Sequence, residues 1–270
     1  MNIHPLFWAV LGLGALTGLF KEIVMLFSIV LVHELGHTYM AYRFNWRIKK
    51  ITLLPFGGMV EMDEYGNRPV HEEILVTING PIQHVWLIAA SFLLLNTPFW
   101  SQGDHQLFLF HNVTILLFNL LPILPLDGGR LLFSLLSLLY PFFKAHQLTY
   151  TFSLTFLSIL SLISITIFPF HLNLYAVIMF LWLFHYLEWK QRHFIFIRFL
   201  LERMENTSQG KKRVLLLPPQ TPVAQAIKNI QRQKYHFFTH SINGLQLEEK
   251  VILEAYFNKD KRMLPIGKLV

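Results

Sequence analysis

Between Leu26 and Tyr42 the chain reads LFSIVLVHELGHTYMAY, a run apolar enough to cross a membrane that nevertheless carries His33, Glu34 and His37. No other stretch limits the fold so strongly. On a helix, residues four apart share a face, so His33 and His37 present both imidazoles to one ion. Glu34, one residue past the first His, is close enough to take a proton from water at that ion rather than to bind it. A chain with 13 His will sometimes place two at this spacing by chance. Chance accounts poorly for the Glu between them, and worse for burying three ionisable groups in lipid, where they are costly and mark functional sites. The ion expected from this pattern is zinc.

Composition agrees with a membrane setting. Of 270 residues, 53% are hydrophobic and 14% charged, against about a quarter charged in ordinary soluble domains. Several apolar runs reach the ~20 residues that span a bilayer. The expected fold is an all-α polytopic membrane protein with spans near 5–20, 23–43, 74–95, 106–125, 149–168 and 171–188. The first run lacks a basic leader and Lys21-Glu22 leads straight into the next, so it is not a signal peptide. Arg43, Arg47, Lys49, Lys50 and Arg68 follow span two, and Lys190, Arg192, Arg198 and Arg203 follow span six. That bias puts both termini in the cytoplasm. With no Cys there is neither a thiolate ligand nor a cysteine nucleophile.

The loop after span two holds Pro55-Phe56-Gly57-Gly58 between two short apolar segments, Ile51–Leu54 and Met59–Met62. These read as strands joined by a Gly turn, either a hairpin at the membrane mouth or a surface hairpin over an apolar rim. In span three, Gly80-Pro81 reads as a packing feature, and His84 as either a ligand or a hydrogen-bonding partner across a helix pair. Span four is broken by Pro122, Pro125 and Gly128-Gly129, with Asp127 in the break. Asp127 could simply cap the helix beginning at Gly128, but a cap alone leaves the third ligand missing; its carboxylate completes a His, His, Asp set with an open water position, and the two roles can coexist. Asn119 is either a donor to substrate or an interhelical hydrogen bond. Leu131 to Phe143 is too short to span and reads as a cytoplasm-side interfacial or re-entrant helix.

Three domains are expected: a membrane domain over 1–190, an interfacial helix and linker over 191–213, and a small α/β unit over 214–270. The last contains a strand Val214–Leu217, a helix Val223–Gln233, a turn at Asn243-Gly244 and a helix Glu248–Asn258. So small a unit needs a partner or a second copy.

These residues resemble a known family. His33-Glu34-Leu35-Gly36-His37 together with Asn119, Pro122, Pro125 and Asp127-Gly128 is similar to the paired motifs of the site-2 protease family of intramembrane zinc metalloproteases. Pro55-Phe56-Gly57-Gly58 matches the family's membrane hairpin and Gly80-Pro81 a recurring span-three feature. The resemblance implies zinc ligands at His33, His37 and Asp127 and a catalytic acid/base at Glu34; substrate contacts at Asn119, Gly57 and Gly58 are expected from the residues themselves. The tail, through Thr221-Pro222-Val223 and Leu264-Pro265-Ile266-Gly267, resembles half of a CBS domain. It implies pairing into a homo-oligomer and ATP binding at the tail. The combination looks like the branch that serves sporulation by releasing a membrane-tethered sigma factor, in the cell or forespore membrane.

The expected activity is therefore zinc-dependent cleavage of a membrane-tethered protein substrate, under membrane regulators and without nucleic acid as a partner. The alternative is a zinc transporter or sensor with a nucleotide-reading tail. It predicts ionisable residues along a through-path and leaves Glu34 without a role.

Overall fold

A computed structural model describes residues 2–3, 12, 16–54, 57–62, 66–167, 171–205, 210–239 and 244–269. Most of the first apolar run lies outside them, as do Pro55-Phe56 and Asn243.

Apolar sequence with few breakers gives long helices. In chain order these are α1 (Phe20–Arg43), α2 (Val70–Leu94), α3 (Gln102–Asn119), α4 (Asp127–Leu139), α5 (Phe142–Ile167) and α6 (Leu172–Glu205). Among the described residues α1, α2 and α5 are long and apolar enough to cross a membrane. At 24 residues, α1 is about 36 Å long, against a hydrocarbon core of about 30 Å. α3 opens on a capping box: Ser101 Oγ accepts from the Asp104 N–H at 3.2 Å, and Asp104 Oδ2 accepts from the Ser101 N–H at 2.9 Å. Pro122 and Pro125 keep the chain non-helical from Leu121 to Leu126.

The chain forms two compact units. The first comprises residues 1–64, 71–122 and 126–131. It contains α1, α3, most of α2 and a three-stranded sheet in the order β1 (Asn2–Ile3), β2 (Ile48–Leu54), β3 (Gly57–Met62). β2 and β3 pair antiparallel, and both lie against α1. The two glycines expected in the turn instead open β3, where Gly57 pairs with Leu54 and Gly58 with Leu53. A small apolar cluster of Met25, Ile29, Leu87 and Phe108 packs α1, α2 and α3 together.

The second unit comprises residues 65–70, 123–125 and 132–270. Its tail carries β4 (Lys211–Leu216), α7 (Val223–Ala226), β5 (Lys234–Thr239), β6 (Leu247–Glu248) and α8 (Glu249–Phe257), with sheet order β4-β5-β6. The helix expected to reach Gln233 stops after a 3-10 turn at Asn229, and the next residues enter β5. Residues 191–203, expected as a separate interfacial helix, continue α6 without a break.

The tail does not close its core alone. Val223, Ile227, Ile230, Phe238, Ile252 and Tyr256 share one buried cluster with Phe142 at the start of α5 and with Phe196, Phe199 and Leu200 near the end of α6. The rings of Phe142 and Phe199 stack at 4.0 Å. A unit of under 60 residues lacks the interior to be stable by itself, and these helix ends supply it.

Candidate metal centre

α1 sets His33 and His37 one turn apart, ring centroids 4.7 Å from each other and planes at 84°. Their Nε2 atoms are 3.1 Å apart. Asp127, the first residue of α4, brings Oδ2 to 3.1 Å from His33 Nε2 and 3.2 Å from His37 Nε2. All three residues are buried, at 3, 5 and 7% exposure. Among the described residues this is the group of His, Asp and Glu whose donor atoms converge as metal ligands do.

The set fits zinc. Tetrahedral bonds of about 2.0–2.1 Å hold two donor atoms roughly 3.3–3.4 Å apart, within a few tenths of the 3.1 and 3.2 Å edges of this triangle. His37 Nδ1–H donates to the Val76 carbonyl at 2.8 Å, which in a neutral ring leaves Nε2 as a lone pair facing the centre. Asp127 Oδ2 is buried without a hydrogen-bond donor. A carboxylate oxygen and two imidazole nitrogens with the fourth direction open is the ligand arrangement of a catalytic zinc.

Close helix approach makes this geometry reachable. A Cβ on Gly36 would lie 2.5 Å from the Asn79 carbonyl oxygen, and one on Gly80 would enter the imidazole of His37. Small residues at these positions let α1 and α2 meet. The packing role expected of Gly80 is the one observed, with a member of the cluster as its neighbour. Gly128 is pressed just as tightly against the carbonyls of Leu120 and Leu121, which holds the start of α4, and Asp127 with it, against the end of α3.

Glu34 is half-buried and lies about 100° around the helix from His33, off the face that carries the imidazoles. Asn119 is the last residue of α3, and its amide nitrogen donates back to the Ile115 carbonyl at 3.0 Å. Gly57 and Gly58 lie in β3, in the sheet beside α1. His84, left open in the sequence between ligand and hydrogen-bonding roles, is fully buried with Nε2 at 3.0 Å from His33 Nδ1. It thus touches the His33 ring on the side away from the cluster. Asn112, which the sequence reading passed over, is fully buried with Oδ1 at 3.1 Å from His84 Nδ1. The signal that marks it is an amide in an apolar helix, a group that needs a partner.

The family model described as Peptidase family M50 matches residues 21–103 and 105–162. Stage IV sporulation protein FB of Bacillus subtilis is 42% identical over 271 residues, covering 97% of this chain and 92% of that protein. A zinc metalloprotease of Methanocaldococcus jannaschii is 35% identical over 150 residues, 54% of this chain and 40% of its own. Among solved structures, the site-2 protease from Methanocaldococcus jannaschii matches with a TM-score of 0.54 and 26% identity, over 69% of this chain and 88% of that one.

Proposed function

The chain belongs to peptidase family M50 and is a membrane zinc metalloprotease of the site-2 type; from that premise we propose that it cuts a membrane-tethered sigma-factor precursor in sporulation, at the centre formed by His33, His37 and Asp127. The convergence of three buried donor atoms 3.1–3.2 Å apart carries the metal centre, and the 42% identity to a sporulation protein over nearly the whole chain supports the substrate.

In this reading His33 Nε2, His37 Nε2 and Asp127 Oδ2 would hold the ion. Bound zinc supplies a Lewis acid that brings the pKa of water toward neutrality. Glu34, off the ligand face, takes a proton from the attacking water and delivers it to the leaving amine. The burial of all three ligands keeps bulk water from competing for the site. A substrate helix hides its amides in internal hydrogen bonds, so it has to be unwound first. Among the described residues β3 is an edge strand of its sheet, beginning with Gly57 and Gly58, and an extended substrate would pair along its outer edge. Asn119 is the remaining candidate contact to substrate backbone.

The finer placement follows from charge. Six spans with both termini cytoplasmic accommodate the Lys and Arg pattern, and a sporulation role suits the cell or forespore membrane. The tail is assigned control rather than chemistry. Its edge strand β4 exposes Val214 and Leu216 at 52 and 60%, which supports self-association. ATP as its ligand rests on the CBS resemblance. Residues 65–70, which connect β3 to α2, belong to the same unit as the tail: Asn67 Nδ2 donates to Glu202 at 2.8 Å, and Arg232 Nη2 donates to the Arg68 carbonyl at 3.0 Å. These contacts support coupling of the tail to the segment that precedes α2.

Co-expression with membrane-tethered sigma-factor precursors tests the reading, comparing wild type with Glu34→Gln. A shortened, released precursor with wild type alone is the expected result. An uncut precursor with both proteins, each present and folded in the membrane, sinks it.

A further inference from the structure

His84 and Asn112 are a buried polar pair with no role assigned above, and for neutral rings their hydrogen bonds have only one consistent direction. Asn112 Nδ2 lies 3.0 Å from the carbonyl of Phe108. A carbonyl only accepts, so the amide nitrogen faces it and Oδ1 faces His84. That oxygen accepts too, so the proton on His84 sits on Nδ1, 3.1 Å away. A neutral His84 then offers a lone pair at Nε2, 3.0 Å from His33 Nδ1. His33 therefore carries its proton on Nδ1 and turns a bare Nε2 toward Asp127 and His37. Reversing any one bond sets two acceptors or two donors face to face. With His84 and Asn112 both at 0% exposure, bulk water cannot relieve the mismatch.

The two imidazoles of the centre are thus set by different means. His37 is held directly by a backbone carbonyl, that of Val76, at 2.8 Å. His33 is held by a carbonyl three bonds away, through two side chains on α2 and α3. We infer that His84 and Asn112 are positioning residues for the zinc ligand His33, fixing its tautomer and ring orientation while touching neither metal nor substrate. A partner on the far nitrogen is what orients a histidine ligand, and its loss costs about 10- to 100-fold in metal affinity.

The inference rests on the zinc reading of the centre, so the two are tested side by side. Zinc affinity is measured by chelator competition on full-length protein carrying Glu34→Gln, which keeps proteolysis out of the readout. Asp127→Ala tests the zinc reading: it must weaken zinc strongly, and unchanged affinity there defeats that reading regardless of the relay. His84→Phe removes the acceptor for His33 Nδ1–H and is expected to weaken zinc about 10- to 100-fold. His84→Gln keeps a carbonyl acceptor and is expected to recover most of that loss. Asn112→Leu, one link further out, is expected to show a smaller loss in the same direction, and it reads the relay if His84→Phe does not fold. Thermal melting of each variant separates packing from positioning. If His84→Phe and His84→Gln lose zinc affinity equally, or if folded His84→Phe and Asn112→Leu bind zinc as the parent does, the positioning role is wrong.

Discussion

Glu249 and Asp127 are both carboxylates buried among nitrogen donors, and they are completed in different ways. At Glu249 the chain supplies every partner. Arg203 donates from Nε and Nη2, the His236 backbone N–H donates at 2.9 Å, and His236 Nδ1–H donates at 2.8 Å. His236 is itself completed by the Gln231 N–H, which donates to Nε2 at 3.3 Å. At Asp127 two imidazole nitrogens approach Oδ2 to 3.1 and 3.2 Å, and one of those rings already spends its proton on a backbone carbonyl. The first cluster is closed, holding the tail to the end of α6. The second is a set of lone pairs aimed at a common point. Burial and ionisable residues alone do not tell a structural ion pair from a metal site; the bookkeeping of donors against acceptors does.

Removing one carboxylate at a time sharpens the contrast. Asp127→Ala should take bound zinc from near one per chain to below about a tenth, with proteolysis lost alongside, because the centre keeps only two of the three ligands a catalytic zinc needs. Metal analysis of purified, folded protein checks this. A helix-cap role alone would cost about 1 kcal/mol and leave zinc in place. Glu249→Ala should do the reverse. It strands the Arg203 guanidinium in the interior and destabilises the C-terminal unit by about 3–5 kcal/mol, while zinc per folded chain is unchanged. Denaturant titration followed from the tail, beside metal analysis of the same sample, reads both numbers.

A gentler perturbation is pH. Burial lowers the pKa of His236 even though Glu249 faces it, with Arg203 from α6 and Arg213 from β4 adding to the lowering. Burial would raise Glu249, but hydrogen bonds from His236 and Arg203 outweigh it and hold the carboxyl below its usual range. For both groups the unfolded chain binds protons that the folded one refuses. Stability is therefore lost as pH falls, beginning near the ordinary His value of about 6.5 and continuing below the ordinary Glu value of about 4.3. Limited proteolysis of the tail between pH 8 and pH 5 should show cleavage rising toward acid. A tail equally resistant across that range would mean His236 is not buried neutral as described.

How much of this was legible beforehand depended on the distance over which each signal acts. His33 and His37 are one helical turn apart, so spacing alone placed them together. The break that presents Asp127 was announced by Pro122, Pro125 and Gly128, residues that act on their own backbone. Asn112 is marked only as an amide in an apolar helix, which does not name its partner, because His84 is 28 residues away on another helix. The partner that so small a tail needs could not be named for a related reason. Its apolar residues are completed by Phe142 and Phe199, which sequence patterning places in the membrane domain over 1–190 and in the interfacial helix and linker over 191–213. Lys234–Thr239 was missed as a strand because its parallel partner, β4, lies more than 20 residues earlier, and no local alternation announces a strand paired at that range.

The central assignment separates zinc ligands from the residue that moves protons, and the zinc content of Glu34→Gln tests it most directly. The variant is purified from membranes, analysed for metal, and assayed on a membrane-tethered substrate that wild type cuts. Zinc near one per chain with cleavage abolished is the expected result. Zinc lost together with activity would make Glu34 a ligand, and zinc retained with cleavage intact would remove it from the chemistry; either contradicts the site as assigned.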